Sequence, residues 1–191
     1  LRPYPYLDKR HVRPLLYVGL QFFTIQLAVL IIFTTDKILI TQLFGPQYVT
    51  QYEVVFKLFS VITFAHGLIS APLWSAYTDA YHREDFIWIK RMLHKQMIVF
   101  GGFVLAIITL AAIAKPVAMF WIGNDFEVPI ILVISMSFFV LVSSWLNIFS
   151  CFLNGVQKIR ISFSVSIFAM LLNIPISIAF AKYTSLGVSS I

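Results

Sequence analysis

The sequence predicts an all-α polytopic membrane protein, and three observations lead there. Hydrophobic residues make up 60% of the 191 and charged residues only 12%; mean hydropathy is +0.89, more apolar surface than a water-soluble fold can hide. The apolar residues gather into five runs, each near or above the roughly 20 residues that a helix needs to cross the hydrocarbon. The cations fall between these runs: ten of the 14 Lys and Arg sit in three short clusters. In lipid a backbone must satisfy its own amides, so runs of this length are expected to be helices.

The first predicted span covers Leu15 to Ile40, the second Val54 to Tyr77, the third Met97 to Met119, the fourth Val128 to Phe152 and the fifth Ile161 to Tyr183. Gly45-Pro46 supplies a turn after the first, and Thr50 with Glu53 has the T-x-x-E spacing of a capping box before the second. These two spans are expected to form an antiparallel hairpin. Between the second and third, AYHREDFIWIKRMLHK mixes charges with Phe86, Ile87, Trp88, Ile89 and Leu93, which suits either a helix lying at the membrane surface or a solvated loop with an aromatic anchor. Asn154-Gly155 has the composition of a left-handed cap closing the fourth span, and only a few residues separate it from the fifth, so a second hairpin is expected. Residues 1–191 read as one membrane domain without internal repeat. The opening Leu1 and the apolar ending LGVSSI suggest a piece of a longer chain.

The basic clusters orient the spans. Arg2, Lys9, Arg10 and Arg13 precede the first; Arg83, Lys90, Arg91 and Lys95 lie between the second and third; Lys158 and Arg160 lie between the fourth and fifth. All three positions fall on one side of the membrane, which the excess of Lys and Arg marks as cytoplasmic. The N-terminus is therefore expected inside and the C-terminal end outside. The same clustering argues against nucleic acid as a partner, because the cations form no stripe.

An ionised side chain inside a membrane costs roughly 2.5–3.5 kcal/mol on insertion scales, so such residues tend to face a protein interior or a wet cavity. Besides Lys115 and Lys182 near span ends, Asp36, Lys37 and Lys57 are the charged residues within spans. If the first two spans form a hairpin, Asp36 and Lys57 lie at similar depth and can pair; alternatively the two lysines snorkel to the headgroups and Asp36 sits near the interface. The fourth span carries Ser143, Asn147, Ser150 and Asn154 on one face, the fifth Ser162, Ser166, Asn173 and Ser177, and the first Gln21, Thr24, Ala28 and Thr35. Such stripes serve close helix packing or line a hydrated path. Pro72 and Pro175 lie within spans, where prolines can mark hinges. His66 is either a proton site or a structural hydrogen-bonding histidine.

The residues offer no catalytic set. Cys151 is the lone cysteine, no His pair has i, i+4 spacing, no span holds paired carboxylates and no glycine-rich phosphate loop is present. No enzyme, cofactor or metal site is expected.

Several stretches carry a family likeness: FFTIQ and FTTD in the first span, FGPQYVTQYEVVFKLFS across the first turn, PLWSAYTDAY and DFIWIK at the end of the second, FWIG at Trp121, and FLNGVQKIRISF. With these the chain resembles the polysaccharide flippases of the multidrug/oligosaccharidyl-lipid/polysaccharide superfamily, the Wzx-like O-antigen and capsule translocases. The resemblance covers residues 15 to 191 and is strongest from Gly19 to Lys90. It implies two bundles of about six helices around a central cavity, with this chain matching the first five helices of the second. It implies an undecaprenyl-diphosphate-linked oligosaccharide as substrate, a bacterial inner-membrane location, membrane lipids as surroundings and polysaccharide polymerase machinery as a partner. Asp36, Lys57, Asn147 and Asn173 are the candidate residues for substrate path or coupling. Lys37 departs from the uncharged polar residue expected after Asp36 in many relatives.

Two other readings compete. One is a cation-coupled multidrug exporter of the same superfamily, for which further intramembrane carboxylates are expected. The other is a membrane-embedded enzyme of polysaccharide assembly, which calls for a large external loop or a His, Arg or Asp cluster. A purely structural membrane subunit has less need of the polar stripes.

Overall fold

The structure, a computed structural model, describes residues 9–123 and 126–183. Five α-helices follow one another: α1 (Lys9–Leu43), α2 (Pro46–His82), α3 (Phe86–Ile122), α4 (Ile130–Gly155) and α5 (Ile159–Tyr183). All five are long and apolar enough to cross a membrane, and the chain is that of a multi-pass membrane protein. Among the described residues there is no strand. The helices reach further than the apolar runs. At about 1.5 Å per residue, the 37 residues of α2 or of α3 measure about 55 Å, against a hydrocarbon core of about 30 Å.

That extra length corrects three expectations about the connections. The stretch from Ala80 to Lys95 is neither a separate surface helix nor a loop. It is the end of α2, a turn at residues 83–85 and the start of α3, which Asp85 caps by accepting a hydrogen bond from the Trp88 amide at 2.9 Å. Helix α2 likewise starts at Pro46, behind Gly45 with φ 107° and with no side-chain cap. Proline suits a first helical position, where its missing N–H has no intrahelical acceptor to lose. Thr50 and Glu53 therefore lie inside the helix and form no capping box. At the end of α4 the left-handed residue is Gln157 (φ 61°) rather than Gly155. The Lys158 amide, one residue on, bonds back to the Leu153 carbonyl at 2.8 Å and closes the turn.

Gly155 is required for space. A Cβ there would meet Tyr77 Cβ at 2.7 Å and the Trp74 carbonyl oxygen at 3.0 Å. Helix α2 passes so closely that Thr78 Oγ1 donates to the Gly155 carbonyl at 2.8 Å.

The best-packed neighbours are not consecutive in sequence. Helix α2 packs most extensively on α4, and α1 on α5, whereas α1 against α2 and α4 against α5 touch less. The expected hairpins describe the path of the chain and not its main packing. The principal core joins Val55 and Phe59 of α2, Ile107 of α3, and Met136 and Val140 of α4, with Ile40 as its α1 member. A second core gathers Ala80, Ile89 and Cys151 around Tyr77, whose ring meets Trp88 and Phe152 edge-on at 5.9 and 5.5 Å.

Helix α4 shows how the sequence directs this packing. Its buried residues Leu132, Met136, Val140, Ser144, Ile148, Cys151 and Gly155 follow one another at steps of four and three along a single face. Large side chains such as Phe64, Leu105, Phe138 and Phe168 point outward instead, where lipid is the apolar partner that water could not be. Helices α2 and α5 run unbroken through Pro72 and Pro175.

The close approach at Gly155 gives a stability test. Gly155→Ala is expected to lower stability in detergent by about 1–3 kcal/mol, the cost of overpacking a tight contact. Gly102→Ala, where an added Cβ meets nothing within 4 Å, is expected to be neutral or mildly stabilising. Thermal or denaturant unfolding of the two variants side by side checks this, and equal midpoints would contradict the tight α2–α4 approach.

Candidate functional site

Helix α1 presents Gln21, Ala28 and Asp36 on one buried face, at steps of seven and eight. Asp36 is 5% exposed and accepts a hydrogen bond from Asn173 Nδ2 of α5 at 3.1 Å. Ser177, one turn further along α5, is buried as well. The polar faces of the first and fifth helices are thus turned toward each other. The start of α5 is tied across to α4 by a second polar contact, in which Ser162 Oγ donates to Asn154 Oδ1 at 3.1 Å.

One residue beyond Asp36 the direction changes. Successive residues on a helix point about 100° apart, so while Asp36 faces α5, Lys37 faces α2 and forms an ion pair with Glu53. Lys57, one turn after Glu53 on α2, stands 3.9 Å from the other carboxylate oxygen. Glu53 therefore serves two lysines, and Tyr52 beside it is buried within electrostatic reach of both Glu53 and Asp36.

Of the two arrangements considered for these residues, the Asp36–Lys57 pair is not formed. Asp36 finds an uncharged amide on α5, and Lys57 finds a carboxylate on its own helix. The Lys57 side chain is 62% exposed, as a snorkelling lysine would be.

The fourth candidate lies elsewhere. Asn147 of α4 is exposed and lies near His66 of α2, whose ring packs edge-on against Phe103 of α3 at 5.1 Å and is 1% exposed. His66 is thus buried where α2 packs on α3. Ser70 and Tyr77 continue its face along α2, with Gln96 of α3 and Ser144 of α4 also buried, so a line of polar side chains runs through the α2–α3–α4 core. Cys151 Sγ donates to the Ser70 carbonyl at 3.3 Å as part of this line.

The structure brings Asp36 and Asn173 together, sets Lys57 beside Glu53 on the adjacent face and leaves Asn147 apart on α4. Glu53, Tyr52, Ser70, Gln96 and Ser144 escaped the sequence reading. Glu53 had a signal, being a carboxylate seven residues inside a helix. Its T-x-x-E spacing disguised it as a cap. Among the described residues no group of three His, Cys, Asp or Glu side chains is placed to hold a metal.

The chain is 25% identical over 164 residues to a protein of Yersinia pseudotuberculosis described as "Putative O-antigen export protein". The match covers 81% of this chain and 36% of that protein, so the chain spans about a third of the relative's length. No protein-family model matches the chain, and no solved structure matches it.

The pairing can be measured. A double-mutant cycle between Asp36→Ala and Asn173→Ala is expected to give a coupling of about 0.6 kcal/mol, at most about 1.7, the range found for hydrogen bonds between membrane helices. The same cycle between Asp36→Ala and Lys57→Ala is expected to give none. Coupling in the second cycle but not the first would restore the pair that the geometry rejects.

Proposed function

We propose that the protein is a polysaccharide-export transporter, and that it acts as a flippase. Its cargo on this reading is an undecaprenyl-diphosphate-linked oligosaccharide, turned from the cytoplasmic to the periplasmic leaflet of a bacterial inner membrane for O-antigen, capsule or exopolysaccharide assembly. The observation that carries the reading is the similarity to an O-antigen export protein along most of a chain built from five membrane-crossing helices.

The physical demands of the task support it. A diphosphate-sugar head needs hydrogen-bonding groups and cations on its way through the bilayer, while a polyprenyl tail can stay in lipid. Lys57 and Asn147 are exposed on this five-helix unit and are the residues assigned to contact the head. Asp36 with Asn173 forms a buried polar junction between two helices and is assigned to coupling between cargo and helix movement. The basic residues Arg83, Lys90, Arg91, Lys95, Lys158 and Arg160 gather at one end of the bundle, and on this reading that end is cytoplasmic. Polysaccharide polymerase machinery is the expected neighbour on the opposite side.

The test is a deletion of the gene in its own bacterium, complemented with wild type or with Asp36→Ala combined with Lys57→Ala. The expected result is loss of surface polysaccharide with the lipid-linked unit accumulating in the cytoplasmic leaflet, restored by wild type and not by the double variant. Unchanged polysaccharide together with raised sensitivity to cationic drugs would replace this reading with that of a multidrug exporter.

A further inference from the structure

At the basic end of the bundle a crevice of about 800 Å³ opens between α1, α2 and the turn from α4 to α5. One wall is apolar, made by Leu15, Val18 and Phe22 of α1 with Trp74 of α2. The rim is polar and cationic: Gln21 of α1, Thr78 of α2, and Asn154, Lys158 and Arg160 around the turn. The Phe22 and Trp74 rings meet at a tilt, 5.3 Å apart, between the first two helices.

The charge on this rim is uncompensated. Neither Lys158 nor Arg160 has an acidic partner among the described residues. Asp79, next to Thr78 on α2, is taken by Arg83 at 3.1 Å. The Arg160 guanidinium lies over the Tyr17 ring at 5.9 Å, a contact that holds the side chain in place without neutralising it. The backbone fixes the pair, because Gln157 in the left-handed region turns the chain between α4 and α5 and sets Lys158 and Arg160 on the rim. Two oriented cations above an apolar wall, at the level where helices leave the membrane, match a phosphate that carries acyl chains. A free anion would leave the apolar wall unused, and a neutral lipid would leave the cations unmatched.

We propose that this crevice binds the phosphate headgroup of a resident anionic membrane phospholipid. Lys158 and Arg160 hold the phosphate, Gln21 and Asn154 hydrogen-bond the rest of the headgroup, and the acyl chain lies along Leu15, Val18 and Phe22. The proposal stands on the crevice alone and holds whether or not polysaccharide is the cargo.

The probe is phosphatidylglycerol, titrated against phosphatidylcholine onto the purified protein in neutral detergent, with bound lipid read by native mass spectrometry. Wild type is expected to prefer phosphatidylglycerol. Lys158→Gln with Arg160→Gln is expected to weaken that binding about thirtyfold, from the usual gain per basic residue at an anionic surface. Lys158→Arg with Arg160→Lys is expected to keep it, which also shows that the site tolerates substitution. Lys90→Gln with Arg91→Gln, at the same end but outside the crevice, is expected to leave it unchanged. Equal losses in both Gln pairs would mean a diffuse basic surface and would overturn the proposal. Full competition by inorganic phosphate would mean a simple anion site, and displacement by undecaprenyl phosphate at far lower concentration would mean a cargo site; each would overturn it too.

Discussion

In hydrocarbon a polar group has no water to turn to, and the arrangement of this chain follows from that. Backbone amides are satisfied within the helices, which is why five uninterrupted apolar runs become five helices. Several side chains follow the same constraint. Asp36 reaches Asn173, Ser162 reaches Asn154, and Thr24 Oγ1 and Thr41 Oγ1 fold back onto carbonyls one turn earlier in their own helix at 2.8 Å each. Since attraction between apolar surfaces does little when lipid is as apolar as leucine, these polar contacts and the close approach at Gly155 are what select helix partners. They select α1 with α5 and α2 with α4, across the order of the chain.

The two neighbours Asp36 and Lys37 show how little separates one partner from another. The carboxylate faces a parallel helix and meets an amide; the ammonium, a third of a turn away, faces an antiparallel helix and meets Glu53. Exchanging the two residues would present the cation to Asn173 and the anion to Glu53, a repulsion in place of an ion pair. The sequence order Asp-Lys is therefore matched to this set of neighbours. Lys37 departs from the uncharged residue expected in the resembled family, and it makes the ion pair that joins α1 to α2.

The existence of the helices was legible because hydropathy reports directly on burial in lipid. Their ends were not. The residues from Pro46 to Glu53 and from Tyr81 to Lys95 are helical for the most part yet polar, so no apolar signal marks them. The partners were legible only in part. The polar line Ser143, Asn147, Ser150 and Asn154 was visible on the fourth helix, but the packed line Ser144, Ile148, Cys151 and Gly155 lies one residue further round. Hydropathy alone ranks neither face, because a membrane helix is apolar nearly all round. Gly155 was noticed for its backbone freedom, whereas its role is the absence of a side chain against Tyr77, a fact about another helix. Asp36 and Asn173 were each singled out from their own span, and nothing within a span says that they meet.

The packing divides the helices into two groups, α1 with α5 and α2 with α3 and α4, and the seam between them is lightly fastened. Across it run the Lys37–Glu53 ion pair, the Ser162–Asn154 hydrogen bond, the aromatic contacts of Phe22 and Phe33, and Ile40 reaching into the main core. The chain crosses the seam at two turns, and each turn contains a residue with positive φ, Gly45 at one and Gln157 at the other. The Asp36–Asn173 bond lies within the first group, and the His66–Phe103 contact and Gly155 lie within the second. Any displacement of one group against the other would thus preserve the Asp36–Asn173 bond and the close approach at Gly155, and exchange the Lys37–Glu53 ion pair, the Ser162–Asn154 hydrogen bond, the ring contacts and the seat of Ile40. The cationic crevice opens on this same seam, with walls from both groups, so a headgroup seated there touches α1 and the turn into α5 on one side and α2 on the other. A ligand with contacts in both groups favours the arrangement that keeps them adjacent, by as much as its affinity differs between arrangements.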